Sequence, residues 1–418
     1  DSLAANVLVS ADLGATWRAL AVNLTDSHLD VDLGSIPSGG EMLVQVEVSD
    51  GVNTATDFSD GPFAAEEKPP VPILIAPELG SLVRRGDGVV LSGAALDLQI
   101  GSVESESLNW FSSIDGPLGS TSDAVIDEPS CGAHEIVLEA ANERGFVAHE
   151  VADIAVHGGC DERVYVLPAS AHVQGLEGTT WVSDLVLHNP NPLPAHAALY
   201  LLDDGVSPES RRLVVVPSQG SVKLADILAE SFGTVVKSGG VLIASSAPLT
   251  ASSRTFNDAE TGTFGQHVPV EVENAAVEGN ESATLIQLTR NAGFRTNTGF
   301  TNVGRSELEV RIDLFSSDGS HLGSKGKKIG PYSFSQVTDI LNKVGADDVD
   351  DAYAVIRAGD VDASYFTYAS IIDNVTGDPI YASPIRTSAN AIFIPAAAHL
   401  AGANRNVWRT DLEIYNSG

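Results

Sequence analysis

The stretch WVSDLVLHNPN at Trp181–Asn191 decides the fold, because the chain returns to the same pattern twice. It recurs as FRTNTGFTNVG at Phe294–Gly304 and as WRTDLEIYNSG at Trp408–Gly418. The copies begin at nearly equal intervals, and each carries Asp or Asn at its fourth position. The alternation of apolar and polar residues predicts a half-buried strand, and the constant spacing predicts tandem domains of about 113 residues.

Two further elements keep this order. VKLADILAESFG at 222–233 matches FSQVTDILNKVG at 334–345, and each predicts one short helix that ends at glycine. RTFNDAETGTFGQHVP at 254–269 matches ASIIDNVTGDPIYASP at 369–384, which predicts a strand followed by a turn. Three matched elements in one order indicate a true repeat.

The first and third copies match most closely, since 166–189 aligns with 393–416 without a gap. Residues 392–418 therefore predict the opening strands of a further repeat. A sandwich that lacks most of its strands cannot bury a core, so we expect this segment to need a partner sheet. That sheet belongs to the preceding domain, to a neighbouring subunit by strand addition, or to a continuation of the chain. The predicted assembly strand comprises Ile392, Phe393, Ile394, Trp408, Leu412 and Ile414.

The N-terminal third carries strand patterns of a different kind. The strands of 1–66, with the ending VQVEVSDGVNTATDFS, resemble a fibronectin type III or related immunoglobulin-like sandwich. GVVLSGAALD, LNWFSSIDGPLG and HEIVLEAANERG, within 73–160, resemble the bacterial immunoglobulin-like and polycystic-kidney-disease-type modules of secreted proteins. In this second module Trp110 is predicted to anchor the core.

These patterns predict an all-β chain of tandem immunoglobulin-like β-sandwich domains, with one short helix in each of the two later repeats. The predicted segments are a first sandwich at 1–66, a linker at 67–72, a second sandwich at 73–160, repeat A at 161–279, repeat B at 280–391 and the opening strands at 392–418.

Charge and composition narrow the partners. The 418 residues include 56 acidic and 23 basic side chains, for a net charge of −33. Such a surface repels nucleic acid and anionic membrane, and no apolar run of about 18 residues predicts a membrane span. The sequence begins at Asp1 without an initiator Met, so we expect it to be a mature or trimmed piece of a larger exported protein.

The two cysteines are predicted to pair. Strands at 134–141 and 146–157 form a hairpin whose register brings Cys131 near residue 158, within reach of Cys160. A disulfide at the hairpin base indicates a location outside the cytoplasm, and two buried free thiols are the alternative. The style of the modules indicates a bacterial source.

No catalytic motif is evident. SADLGATW at Ser10–Trp17 fits the Asp-box of sialidases, but that motif specifies a tight hairpin and occurs here once. His172 and His399 recur at matching positions, so we interpret them as architectural. Acidic clusters at two strand ends are the candidate calcium ligands, no other cofactor being expected; solvated loops are the alternative. The clusters contain Asp347, Asp348, Asp350, Asp351, Asp360 and Asp362.

The leading functional hypothesis is a non-enzymatic extracellular structural or adhesive protein. It would be a cell-surface stalk or filament subunit that assembles with itself through β-sandwich contacts, with strand exchange by the C-terminal segment. The alternative is the accessory region of a larger secreted hydrolase, acting as a spacer or binding a surface glycan.

Overall fold

A computed structural model describes residues 3–99, 101–174, 180–205, 211–234, 237–259, 262–386, 392–402 and 407–416. The chain is all-β, and its strands pair in antiparallel sheets. It divides into two compact units, Asp1–Ser130 with His134–Ile154, and Cys131–Ala133 with Ala155–Gly418. We describe each unit by itself.

The first unit begins with a sheet in the order β2-β1-β3-β4, and β5 pairs with the start of β3. The strands are β1 (Ala4–Ser10), β2 (Arg18–Leu24), β3 (Gly39–Ser49), β4 (Thr54–Phe58) and β5 (Phe63–Ala65). The Asp-box forms the β1–β2 turn, where Asp12 accepts hydrogen bonds from the hydroxyl and the backbone N–H of Thr16. These bonds, the hydroxyl's above all, lower the pKa of Asp12 to about 2. The motif is a turn, as its chemistry predicts.

Two sheets then face each other, in the orders β11-β10-β13-β14-β7 and β12-β8-β6 with β9 beside β8. Their strands are β6 (Val71–Ala76), β7 (Leu82–Arg84), β8 (Val89–Asp97), β9 (Gly101–Ser102), β10 (Leu108–Ser112), β11 (Gly116–Ser120), β12 (Asp123–Ile126), β13 (Gly132–Ala141) and β14 (Val147–His157). Trp110 on β10 is fully buried, and its Nε1 donates to the Thr121 carbonyl at 2.8 Å. A Cβ on Gly93 would come within 3.0 Å of the Trp110 ring, so β8 passes close beneath the indole. The predicted core anchor is confirmed.

The second unit opens with the disulfide between Cys131 and Cys160, which is present with a Cα–Cα distance of 6.1 Å. Beside it lies a buried hydrogen-bonded pair of a histidine and a glutamate that the sequence did not predict. His157 Nδ1 lies 2.8 Å from Glu273 Oε1, and the other oxygen of Glu273 accepts the N–H groups of Gly158 and Cys160. The bonded segment 157–160 is thereby fixed to the end of repeat A.

Repeat A is one nine-stranded sheet folded around its own core, in the order β18-β17-β20-β15-β16-β21-β22, with β19 beside β16 and β23 beside β15. Its elements are β15 (Val164–Gln174), β16 (Thr180–His188), β17 (Ala195–Leu202), β18 (Arg211–Val216), β19 (Ser221–Leu224), α1 (Ile227–Phe232), β20 (Lys237–Ser245), β21 (Thr250–Ala259), β22 (Gly262–Val268) and β23 (Glu271–Val272). β15 links the two halves, since it pairs with β20 over most of its length and with β16 at its end.

Repeat B is two separate sheets, β24-β31-β26-β29 with β32 beside β31, and β25-β30-β27-β28. Its strands are β24 (Val277–Glu278), β25 (Ser282–Arg290), β26 (Phe294–Asn302), β27 (Leu308–Ser316), β28 (His321–Ile329), β29 (Phe334–Val337), β30 (Val349–Ala358), β31 (Ser364–Asp373) and β32 (Pro379–Ala382). The last two strands of the chain, β33 (His399–Ala401) and β34 (Val407–Arg409), pair only with each other among the described residues.

The repeats correspond strand by strand. β16 and β26 occupy the same place in their repeats, and so do β19 and β29. The helical segments differ: α1 is an α-helix, whereas repeat B has only a 3-10 turn at Asn342–Val344. Both segments end at a left-handed glycine, Gly233 and Gly345. Repeat B has one residue fewer between its Asp and this glycine, so its helical segment is shorter.

The two repeats pack on each other. Nearly all of β31 is buried, because one face lies in the core of repeat B and the other faces repeat A. Tyr368 belongs to the core of repeat A although it lies on a strand of repeat B. The hydroxyl of Thr301 donates to the Pro168 carbonyl at 2.6 Å, and Gly240 faces the same threonine.

We predict that Glu273→Gln destabilises the second unit by about 2 kcal/mol at neutral pH, as is typical for a buried charged hydrogen bond. Burial opposes ionisation of Glu273, but the hydrogen bond and charge of His157, with the two N–H donors, outweigh it and hold its pKa below the ordinary value. The ionised carboxylate therefore stabilises the fold above its unfolded pKa, and this contribution is lost as the pH falls through the lowered folded value. Urea unfolding at several pH values measures the difference.

The exposed Glu230 on α1 provides the matched control, because Glu230→Gln removes a carboxylate from the surface of the same unit. An equal loss of stability in both variants, or a Glu273→Gln effect that grows with acidification, would contradict the prediction.

Candidate functional site

The predicted assembly strand is exposed. Ile392, Phe393 and Ile394 lie in solvent before β33, and Trp408 projects from β34. Leu412 and Ile414, which follow β34, are 62% and 72% exposed. The equivalent residues of the first copy, Leu185 and Leu187, are completely buried in repeat A. The core face of this opening hairpin therefore has no cover within the described residues.

The hairpin nevertheless has the register of repeat A. In repeat A, His172 pairs with Val182 and Val173 with Trp181. At the end of the chain His399 pairs with Arg409 and Leu400 with Trp408, which are the corresponding residues of the third copy. The last strands thus adopt the start of a sandwich.

The segment after β34 lies on the outer face of repeat B. The ring of Tyr415 lies 4.9 Å from that of Tyr353 on β30, and Tyr353 stacks on Phe315 of β27 at 5.1 Å. The carboxylate of Glu413 accepts the N–H of Gln287 on β25 and shares a hydrogen bond with Asp351. Leu412 and Ile414 point away from this contact, as the alternation of a strand requires.

This contact repeats the joint between repeats A and B. There, Thr301 of β26 faces Gly240 of β20 and bonds to the Pro168 carbonyl. One repeat further along the sequence, the positions of Gly240 and Thr301 are occupied by Tyr353 and Tyr415.

Each joint also has a hydrogen bond at a bulge of its ladder, but the bonds run in opposite directions: the Pro168 carbonyl accepts in the first joint, and the Gln287 N–H donates in the second. The β15–β20 ladder has a register shift between Leu167 and Ser170, and the β25–β30 ladder has one between Leu285 and Leu288. Pro168 lies in the first bulge and Gln287 in the second. A bulge leaves backbone groups outside the ladder, and each joint uses one of them to hold the next strand.

Two carboxyl groups meet at the second joint. Burial, followed by the negative charge of Asp351, raises the pKa of Glu413 to about 7. The N–H of Gln287 acts in the opposite direction and favours the carboxylate. The sequence did not reveal Glu413, Tyr353 or Gln287 as site residues. The signal that could have found them was the repeat spacing, which projects the contacts of repeat A onto repeat B.

His172 holds a loop, whereas His399 is exposed. His172 Nδ1 lies 2.7 Å from Asp226 Oδ2, while the N–H of Asp226 donates to Asp184. In repeat B the N–H of Asp339 donates to Asn297 in the same way. Asp226 and Asp339 both have a positive φ, so each side chain and backbone holds a tight turn.

The six predicted calcium ligands are all exposed, and they lie in two groups. Asp347 and Asp350 contact Arg290 and Asn291. Asp360 accepts the N–H of Asp362 beyond the other end of β30. The strand between the groups is roughly 30 Å long, so they cannot share one ion. In the described part of the chain, no three His, Cys, Asp or Glu side chains are arranged to hold a metal ion.

No helix among the described residues is long and apolar enough to cross a membrane. No family model matches the chain, and no curated protein matches it significantly.

Several solved structures show a distant likeness. Carbohydrate-binding modules of the β-sandwich superfamily match with 12% identity over 76% of this chain and 99% of theirs, at a TM-score of 0.21. A calcium-stabilised, ice-binding adhesin of an Antarctic bacterium matches with 12% identity over 91% of this chain and 90% of its own, at 0.15. The eight N-terminal immunoglobulin domains of Down syndrome cell adhesion molecule match with 11% identity over 91% of this chain and 49% of theirs, at 0.19.

Calcium binding stays a prediction, and calorimetric titration with calcium tests it. Binding heat that is absent from the Asp348→Asn, Asp351→Asn double variant would support a site at the start of β30, because the carboxylates there supply the hard oxygen ligands that calcium prefers. An absence of heat, together with a melting temperature that neither calcium nor chelator changes, would contradict it.

Proposed function

We propose that this chain is a non-enzymatic extracellular structural and adhesive protein, a stalk or filament segment made of tandem β-sandwiches. Repeat B docks its second strand on repeat A. The described segments 392–402 and 407–416 begin a further sandwich on repeat B, and strands of a neighbouring sandwich complete it. The fibronectin type III and polycystic-kidney-disease-type character of the first two modules belongs to this proposal.

One observation carries the proposal: the joint recurs. Tyr415 lies on Tyr353 where Thr301 lies on Gly240, and both joints use a bulge in the same ladder. A contact that recurs at each step in the same orientation is heterologous, and heterologous contacts generate open filaments when the rotation does not close a ring.

The disulfide and the surface charge support an extracellular location. Disulfides form and persist mainly in oxidising compartments, and Cys131–Cys160 is bonded. The net charge of −33 favours high solubility outside the cell.

A second candidate function is a spacer or carbohydrate-binding region of a larger secreted hydrolase. A cleft of about 350 Å³ between repeats A and B favours this candidate. Its lining includes an aromatic ring, Trp181, and two side-chain amides, Gln266 and Gln336.

We predict that the full chain associates with increasing concentration, and that a chain of residues 1–391 stays a folded monomer. The exposed core face of the hairpin drives association, because Leu412 and Ile414 are buried only when a partner sheet covers them. Sedimentation velocity measures association, and thermal unfolding followed by circular dichroism checks the fold of the shortened chain.

The Leu412→Ser, Ile414→Ser double variant should lose association as the shortened chain does. Val375 is a highly exposed apolar residue on a distant turn, so Val375→Ser is the matched control and should associate normally. A full chain that remains monomeric would contradict the proposal. Unfolding of the 1–391 chain would show instead that the segment completes repeat B.

The docking of 407–416 on repeat B should strengthen roughly tenfold between pH 8 and pH 5.5, because the docked state holds the Glu413 proton more tightly than the free segment does. A raised carboxyl pKa of about 7 against an ordinary value of 4.5 means that docking is favoured at low pH and weakens as the pH rises through this range. Hydrogen exchange of the segment at each pH measures the docked fraction.

Glu413→Gln should dock with little dependence on pH over the same range. His399 on β33 is retained in that variant, so the comparison separates the glutamate from the histidine. A pH dependence that survives in Glu413→Gln would assign the effect to another group and overturn the prediction.

A further inference from the structure

A cleft of about 350 Å³ lies between repeats A and B. Strands of both repeats form it. Repeat A contributes β15, β16, β20, β21 and β22, and repeat B contributes β26, β29, β31 and β32. Its volume lies within the range of about 300–1,000 Å³ that is typical of sites for small molecules. Its lining has three properties that together define a ligand.

The first property is an aromatic surface. Trp181 of β16 and Phe334 of β29 line the cleft, and both rings are only partly buried. Tyr368 of β31 lies flat across Gly299, where an added Cβ would come within 2.1 Å of the ring. Tyr368 also stacks on Tyr381 with ring centroids 5.1 Å apart. Trp181 and Phe334 therefore offer rigid apolar faces that lose little conformational entropy on binding, whereas Tyr368 is buried and supports the wall of the cleft.

The second property is a pair of side-chain amides, each of which already accepts a hydrogen bond through its oxygen atom. The hydroxyl of Tyr368 donates to Oε1 of Gln336 at 2.9 Å, and the hydroxyl of Ser370 donates to Oε1 of Gln266 at 3.2 Å. Burial raises the pKa of Tyr368, so its hydroxyl stays protonated and keeps donating. Among the described residues the Nε2 atoms of both glutamines have no hydrogen-bond partner. Each amide is therefore oriented, and its N–H groups remain available for a ligand.

The third property is that the described lining contains no acidic residue. The chain has 56 acidic residues, yet the described residues of the cleft include no Asp, Glu, Lys or His. The one charged side chain among them is Arg295, and its Nη1 donates to Asn374 Oδ1 at 2.7 Å. A cation would find no carboxylate in this described lining. A phosphate or polyanion would find one guanidinium in a strongly negative protein.

We propose that this cleft binds a neutral saccharide, with the apolar face of a sugar ring against Trp181 and its hydroxyl groups hydrogen-bonded to Gln266 and Gln336. A sugar ring presents hydroxyl groups around its edge and C–H groups on its faces, which match oriented amides and aromatic rings respectively. This inference deepens the second candidate function, on which it rests, and does not depend on the stalk.

The experiment presents the full chain to an array of neutral, sialylated and sulfated glycans, with calorimetric titration of each neutral tetrasaccharide that is retained. We expect neutral glycans to be retained with a Kd in the micromolar to millimolar range, about 4–8 kcal/mol of binding free energy. A tetrasaccharide of heparin is the polyanionic probe and should not bind at the cleft.

Three variants locate the site. Trp181→Ala, Gln266→Ala and Gln336→Ala should each weaken binding roughly tenfold, the effect of losing one good hydrogen bond or stacking contact. Gln336 is exposed on β29, so its removal is not expected to disturb the fold. Gln45→Ala and Trp17→Ala, in the first unit, are the matched controls and should bind normally.

Two outcomes would overturn the inference: retention of no neutral glycan, or binding that all three cleft variants leave unchanged. Preferential binding of the heparin tetrasaccharide would also overturn it, because it would assign the cleft to an anion. The Leu412→Ser, Ile414→Ser variant separates the two proposals, since it should lose association and keep saccharide binding.

Discussion

The second unit depends on how closely β26 of repeat B approaches β15 and β20 of repeat A. A Cβ on Gly240 would come within 2.5 Å of the Thr301 side chain, so the approach requires glycine at that position. Thr301 is completely buried, and a buried hydroxyl without a partner would cost stability. The bulge at Pro168 solves this problem, because it turns a carbonyl out of the ladder toward the threonine. The glycine, the bulge and the threonine thus act together: the glycine permits the close approach, and the bulge supplies the hydrogen-bond partner of the threonine.

The second joint has larger side chains at the equivalent positions. Tyr353 stands in place of Gly240 and Tyr415 in place of Thr301, so an aromatic contact replaces close packing. Glu413 and Asp351 add a pair of carboxyl groups that resist joint ionisation. The joint between A and B is therefore closely packed, whereas the joint beyond B is predicted to depend on pH. A stalk built from such joints would combine one closely packed joint with one whose docking depends on pH.

The sequence was sufficient to predict the strands, their spacing and the disulfide, because each of these depends on local pattern and on register. The glycines that end the helical segments, Gly233 and Gly345, could also be predicted, because few other residues readily adopt the left-handed backbone conformation. The short helix expected in repeat B is a 3-10 turn in the structure, whereas its counterpart in repeat A is an α-helix. Contacts between domains were not readable, because alternation shows that a face is buried and does not show what covers it. The His157–Glu273 pair was hidden for the same reason: its members lie 116 residues apart.

The Thr301–Pro168 joint and the cleft lie at opposite ends of the contact between repeats A and B. Along β26 the contact with repeat A is closed at Thr301, whereas Arg295 and Asn297, at the other end of the strand, line open space. Along β15 it is closed at Pro168 and open from Ala169 to Gln174. The close approach at one end therefore creates the cleft at the other, since two twisted sheets that touch at a corner diverge away from it. A ligand in the cleft would contact β16 of repeat A and β29 of repeat B at once. It would thus bind only to the docked pair, and by linkage it would stabilise the joint that holds the two repeats together.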